Sequence, residues 1–365
     1  MASTSALSGG RLCAKIAHME TVKDFTQLGE QIRRIRQGRG LDQGQLAAKC
    51  RLERTALSRA ESGERKVSAL ELTRIAEALD VDLIDLMSRP APDVRAARRP
   101  VEEATTRGER EEVQAEIDLD RAWRDLRQLR EAGLIEPVPL AFGGSGLGSR
   151  EEAQDLARRA REHLEAGDGF LGDMTDVASR LGLWARTTRA QIDGRSLTPE
   201  SGLGVAVVGE GLEPGRRRAT LAHEIGHHLA GDTYEASGHY AAPREAEARI
   251  DAFAAEFLLP EAVVRRAWDE NPSRDALVRM AGEYRVSWSL LVRVAQGAGL
   301  DLASIDTATT PVDADFYRVL GARPQEDIVP PGLPRAWIRA CARAVERQLI
   351  APRRAAEMTL GVLSS

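Results

Sequence analysis

Residues 220–229, which read Thr-Leu-Ala-His-Glu-Ile-Gly-His-His-Leu, have the clearest chemical potential in the chain. His223 and His227 are four residues apart, so on a helix both imidazoles face one metal ion. Glu224 then lies within reach of a water molecule at that ion. The pattern is typical of a zinc hydrolase in which the two histidines bind the metal and Glu224 is the general base. His228 points to another side of the helix and is expected to pack or support the site rather than bind metal.

The alternative is a pair of core histidines that happen to be four residues apart. The glutamate beside the first histidine and the apolar flanking residues both disfavour it.

A third metal ligand is expected downstream, because catalytic zinc usually takes three protein ligands and leaves one position for water. The helix-like run at residues 243–260 offers Glu247 and Asp251, one turn apart. Glu247 can bind the metal while Asp251 accepts a hydrogen bond from a ligand histidine and fixes its orientation. We predict Glu247 as the third ligand, with Glu245 as the alternative.

These two segments together resemble the ImmA/IrrE family of metallopeptidases. The resemblance rests on R-x-T-L-A-H-E-I-G-H-H-L and R-I-D-A-F-A-A-E-F-L-L-P and extends over roughly residues 150–300. It implies a zincin-like helical core with a small sheet, bound Zn2+, and endopeptidase activity on a helix-turn-helix repressor in stress responses or mobile-element control. Family members often carry Glu-Ala-Asn or Glu-Ala-Asp before Phe-Ala-Ala, where this chain has Arg249-Ile250-Asp251.

Length and composition limit the number of domains and the fold class. A length of 365 residues suggests two or three domains, and 42% hydrophobic residues are enough to form buried cores. The abundance of Ala, Arg and Glu favours helices, so we expect a mainly α fold with α+β character in the peptidase-like part. Cys13, Cys50 and Cys341 are far apart and odd in number, which argues against a disulfide framework. Because no apolar run of about 18 residues occurs, we expect a soluble cytoplasmic protein without a membrane partner.

A second motif begins near Phe25. Apolar residues at helical spacing predict a first helix that stops at Gly40. Asp42 caps a second helix, and a third begins at Arg54 after a short turn, which together form a helix-turn-helix. The residues that define the spacing are Gln43, Leu46, Ala47, Leu52, Leu57, Ser58, Arg59, Glu61, Gly63, Leu70, Ile75, Ala76 and Leu79.

This spacing resembles the XRE (Cro/repressor-like) DNA-binding family, and a protein-binding role is the alternative for such a domain. The resemblance implies a five-helix domain whose helix from Arg54 enters the major groove. Residues 33–66 carry ten Lys/Arg against four Asp/Glu, whereas residues 67–87 carry one Arg against five acids, so the basic half is expected to face DNA. The operator is expected to be palindromic, which would imply a homodimer. The predicted DNA contacts are Gln43, Arg54, Thr55, Ser58 and Arg59.

Local patterns predict the elements between these motifs. Residues 101–132 form a charged helix that is either a dimerisation or spacer element or a cover for the next domain. Residues 151–185 are interpreted as two helices, with Leu183 on the second. Residues 204–208 are the best strand, expected at a sheet edge where an extended peptide substrate pairs.

The expected organisation therefore has five segments. They are a disordered N-terminus at 1–23, the helix-turn-helix domain at 24–88, a linker with a charged helix at 89–148, the metallopeptidase domain at 149–300, and a helical C-terminal extension at 301–365.

The sequence thus predicts a DNA-binding transcriptional regulator with a zinc-dependent endopeptidase domain. Its expected substrate is a repressor-type protein, cleaved in a stress, mobile-element or toxin–antitoxin response. The alternative is a non-catalytic XRE transcription factor whose metal site is structural or sensory. Glu224 favours the enzyme, because a structural zinc site needs no general base.

Overall fold

The computed structural model divides the chain into two compact units. One comprises Met1–Arg95 and Val101–Val113, and the other Ala96–Pro100 and Gln114–Ser365. The predicted disordered segment at 1–23 lies almost entirely outside the described residues, as does the first part of the predicted linker. The described residues are 22–81, 83–87, 107–143, 146–231 and 244–364.

The first unit is a cluster of short helices around an apolar core. Asp42 and Ser68 each form a capping box at a helix start, which satisfies backbone N–H groups that have no partner within the helix. Ile32 and Leu57 are fully buried at the centre. The helices are α1 Phe25–Gly38, α2 Gln43–Cys50, α3 Arg54–Glu61, α4 Ala69–Leu79 and α5 Leu83–Met87, followed by α6 Arg107–Glu131, whose residues are divided between the two units after Val113.

The second unit combines helices with one three-stranded sheet, and with the first unit this confirms the mainly α fold class. The strands are β1 Leu183–Thr188, β2 Gly194–Glu200 and β3 Leu203–Gly209. The helices are α7 Arg150–His163, α8 Met174–Arg180, α9 Pro214–Ala230, α10 Arg244–Leu258, α11 Glu261–Glu270, α12 Arg274–Glu283, α13 Trp288–Gly297, α14 Asp313–Leu320, α15 Arg335–Glu346 and α16 Pro352–Met358.

The predicted strand is present as β3, but its predicted place at a sheet edge is wrong. The strand order is β1-β3-β2, with β1 parallel and β2 antiparallel to β3. Every residue of β3 is buried, as expected for a central strand covered on both faces. The outer edge of β1 is partly covered, because Thr187 N–H donates to the Pro331 carbonyl oxygen at 3.0 Å. Among the described strands, none pairs with the outer edge of β2.

The interpretation of Leu183 as helical is also wrong. Helix α8 ends at Arg180, and Gly182 at φ +85° turns the chain into β1. A left-handed glycine directly after a helix is a common helix stop, since glycine carries no Cβ to clash in that conformation.

Within the second unit, α6 covers the sheet, which agrees with one of the two alternatives for the charged helix. Its Glu116 lies 3.4 Å from Arg195 of β2, and Arg130 donates to Glu200 at the other end of that strand. Leu126 is fully buried. The charged residues of this helix thus bind the sheet while its apolar residues enter the core.

Residues beyond 300 contribute to the same unit. Trp337 of α15 packs on Trp184 of β1, with ring centroids 6.1 Å apart. Cys341 is buried on the same face, whereas Leu349 is about half exposed.

No helix in the described part of the chain is long and apolar enough to cross a membrane.

Candidate metal centre and candidate nucleic-acid interface

Helix α9 positions the two predicted metal-binding histidines. It begins at Pro214, whose missing N–H costs nothing in a first turn, and it stops at Gly231 in the left-handed conformation. Its fully buried Ile225 belongs to the core. His223 and His227 remain on a less buried side, with side chains 24% and 13% exposed.

Three potential ligand atoms converge there. His223 Nε2 lies 3.1 Å from His227 Nε2 and 3.2 Å from Glu247 Oε2, and His227 Nε2 lies 3.7 Å from Glu247 Oε2. Two ligand atoms of a tetrahedral zinc site, each about 2.0–2.1 Å from the metal, lie about 3.3 Å apart. The donor set and its spacing therefore fit a zinc ion.

Asp251 lies one turn beyond Glu247 on α10 and contacts His223 at Nδ1, the ring nitrogen that does not face Glu247. Its Oδ1 is 3.0 Å from His223 Nδ1, so the bond directs His223 Nε2 towards the cluster. Burial tends to lower the pKa of His223, but the hydrogen bond to Asp251 and the carboxylates of Glu224, Asp251 and Glu247 raise it overall. The same hydrogen bond lowers the pKa of Asp251 below its usual range, and it outweighs burial, which raises that pKa. Glu245 is exposed and is not part of the converging group.

Close packing of α9 on α10 brings these residues together. A Cβ at Gly226 would lie 2.9 Å from Phe253 Cδ1 and 3.0 Å from Ile250 Cγ2, both on fully buried side chains. Only glycine permits this approach, which places the two α9 histidines beside the α10 carboxylates.

Glu224 lies between the histidines and strand β2. Its side chain is largely buried, and its Oε2 accepts a hydrogen bond from Ser196 Oγ. Sequence reasoning missed Ser196 because β2 was not predicted. The strand contains Pro199 and few β-branched residues, so its local strand signal is weak.

His228 lies outside the converging group of His223, His227 and Glu247, as predicted. Its Nε2 donates to the Leu181 carbonyl oxygen at 3.0 Å, and its Nδ1 lies 2.7 Å from Thr198 Oγ1. Burial lowers the pKa of His228 to about 4, so the ring is neutral at physiological pH. The neutral ring then accepts the Thr198 hydroxyl proton at Nδ1 and links β2 to α9.

Arg218, one helical turn before the metal-binding segment, is also fully buried. It forms an ion pair with Asp327 and donates to the Gly172 carbonyl oxygen at 2.8 Å. Its guanidinium lies 4.6 Å from the centre of the Phe170 ring. Residues beyond 300 therefore support the helix that carries the histidines.

The predicted DNA contacts lie on and beside α3. Arg54, Thr55 and Arg59 are exposed, and Ser58 is half-buried. Arg59 lies 3.9 Å from Glu64, also exposed, a distance at which solvent screens most of the attraction. These side chains are open to a ligand.

Gln43 differs from these residues because its amide is engaged within the domain. Its Nε2 donates at 2.9 Å to Oε2 of Glu61, which is buried at the end of α3. Arg36 of α1 binds the same carboxylate through two hydrogen bonds of 2.6 and 3.0 Å. The network fixes α3 against α1 and α2, so Gln43 helps to orient the exposed helix.

Comparisons with known proteins match one family model to the helices around α3 and another to the region that contains the candidate metal centre. Residues 32–86 match the family model described as helix-turn-helix, and residues 180–294 match the one described as IrrE N-terminal-like domain. No curated protein matches the chain. A solved structure, ComR from Streptococcus suis, aligns with 94% of this chain and 96% of its own at 11% identity, but its TM-score of 0.17 is too low to bear on fold or function.

Proposed function

We propose that this chain, which joins an XRE-type helix-turn-helix domain to an IrrE/ImmA-like metallopeptidase domain, is a transcriptional regulator that binds DNA and cleaves protein. The observation that carries the proposal is the convergence of His223, His227 and Glu247, with Glu224 buried beside them.

In this proposal His223, His227 and Glu247 hold Zn2+, and Asp251 orients His223. When bound, the ion supplies Lewis-acid chemistry, because it polarises a carbonyl and makes water acidic near neutral pH. Glu224 accepts the proton of the attacking water and returns it to the leaving amine. Its low exposure and the hydrogen bond from Ser196 support this role.

The proposed substrate is an extended segment of a repressor-type protein. Strand β2 runs beside Glu224, and no other described strand pairs with its outer edge. A peptide can add to such an edge by main-chain hydrogen bonds. The peptide would therefore pair with β2 rather than with the central strand β3.

The DNA-binding part uses the exposed face of α3. Bases or phosphates would be contacted by Arg54, Thr55, Ser58 and Arg59. Gln43 would hold α3 in place and lie near the DNA backbone. We propose a palindromic operator bound by a homodimer, and a role in a stress, mobile-element or toxin–antitoxin response. Both rest on the resemblance to known families.

The substitution Glu224→Gln tests the enzymatic role. It should keep zinc content and DNA affinity but lower cleavage by about a hundredfold to ten-thousandfold, because the amide cannot accept the proton. The measurement is a quantitative map of new protein N-termini in cells that express the wild type or the variant. Cleavage that persists in the variant would exclude Glu224 as the base.

The same experiment addresses the alternative of a non-catalytic regulator. If the wild type produces no new N-termini and zinc removal changes its affinity for DNA, the metal site is structural or sensory.

A further inference from the structure

Alternating residues of strand β2 pack against helix α9, which carries the two candidate metal-binding histidines. A Cβ at Gly194 would lie 2.5 Å from Thr220 Cγ2, and Ser196 and Thr198 follow at the two-residue spacing of one strand face. Ser196 contacts Glu224, and Thr198 contacts His228.

The helix partners repeat with a matching period. Thr220, Glu224 and His228 are successively four residues apart, which places them along one side of α9. The approach at Gly194 and the two hydroxyl contacts therefore fix the register of β2 on the helix.

The middle contact falls on the proposed general base. Glu224 is 8% exposed, and its Oε2 accepts the hydroxyl proton of Ser196. Within the described part of the chain, Ser196 is the only hydrogen-bond donor to this carboxylate. A glutamate side chain has three rotatable bonds, so without this donor its orientation would be less restricted.

We infer that Ser196 is a positioning residue for Glu224. Its hydroxyl bond to Oε2 holds the carboxylate in one orientation, because hydrogen bonds to a carboxylate are short and strong. The strand proposed to pair with the substrate thus also aims the base. This inference rests on the proposed function.

Thr198 provides a matched control on the same strand face. Its hydroxyl contacts His228, which is buried and turned away from the cluster, and it does not contact Glu224. Thr198→Val therefore removes a hydroxyl contact between β2 and α9 while leaving the one to Glu224 in place.

The test uses the full-length protein loaded with Co2+ and titrated with acetohydroxamate, followed by the visible spectrum of the cobalt. A hydroxamate chelates the metal and can donate a proton to the neighbouring carboxylate, so its affinity reports how Glu224 is oriented. Ser196→Ala should weaken hydroxamate binding by about tenfold without changing Co2+ affinity. Ser196→Thr should restore binding, and Thr198→Val should stay within about twofold of wild type.

Unchanged hydroxamate affinity in Ser196→Ala, with Co2+ bound normally, would overturn the inference and leave the proposed function intact. An equal loss in Thr198→Val would also overturn it, since strand packing rather than the Ser196 hydroxyl would then be responsible. A wild type that binds no Co2+ would overturn the proposed function and this inference together.

Discussion

In the proposed metal site, Asp251 would orient a ligand without being one of the converging ligands. Its carboxylate lies 3.0 Å from His223 Nδ1, so a neutral His223 that donates from Nδ1 would leave Nε2, 3.2 Å from Glu247 Oε2, for a metal ion. A histidine without this partner could rotate or protonate the wrong nitrogen. The affinity for metal should therefore depend on Asp251 as well as on the three ligands.

Substitution Asp251→Ala should lower zinc affinity by about 10-fold to 100-fold, the usual effect of losing such a hydrogen bond. Glu245→Ala removes an exposed carboxylate from the same helix and should leave the affinity unchanged. Competition against a chromogenic chelator measures both variants. A larger loss in Glu245→Ala would instead assign the third ligand to Glu245.

Sequence spacing alone could predict the residues that share one helix turn. His223, Glu224 and His227 belong to a single helical pattern whose geometry follows from the period of the helix. Ser196 could not be predicted, because it approaches Glu224 across 28 positions and only the packing of β2 on α9 brings them together.

At the scale of elements, the candidate metal centre exists because α9 and α10 approach closely at Gly226. Phe253 and Ile250 are fully buried opposite it, so neither can yield to an added methyl group. Separation of the helices would move the histidines away from Glu247.

Gly226→Ala should therefore weaken zinc binding and lower the free energy of unfolding by about 1–3 kcal/mol through overpacking. The better helix propensity of alanine offsets only about 1 kcal/mol of this. Gly169→Ala is the control, because its Cβ would meet only the Ala166 carbonyl oxygen at an ordinary 3.5 Å. Zinc affinity and thermal unfolding check both variants, and wild-type zinc affinity in Gly226→Ala would refute the packing argument.

The strands show which elements local sequence reveals. The residues of β3 are apolar at successive positions, and this run predicted a strand. Such a run is typical of a strand that is buried on both faces. The half-buried edge strand β2 contains Gly194 and Pro199 and lacks such a run. Its position depends on contacts with α6 and α9, which only the folded chain supplies.

For the whole molecule, charge distribution matters more than net charge. The chain carries a net charge of −5, yet residues 33–66 hold ten Lys/Arg against four Asp/Glu. One of those four acids, Glu61, is buried and bound to Arg36. An acidic protein can therefore still present a basic surface to DNA.

The affinity for a DNA duplex of random sequence should fall at least about a hundredfold between about 50 and about 200 mM salt, as phosphate neutralisation releases counterions. If Arg54 contacts a phosphate, Arg54→Ala should reduce the slope of log affinity against log salt by about one. Arg74→Ala, an exposed change in the acidic half, should not. Fluorescence anisotropy measures the slopes, and salt-independent binding would contradict a DNA-binding role.

The most direct test of the proposed metallopeptidase is the metal content of the purified full-length protein and of its Glu247→Ala variant, measured by elemental analysis. We expect about one zinc ion per wild-type chain and little in the variant, since a catalytic zinc site needs its third protein ligand. A wild type that stays metal-free even after zinc is added would contradict the metallopeptidase proposal and leave a DNA-binding regulator alone.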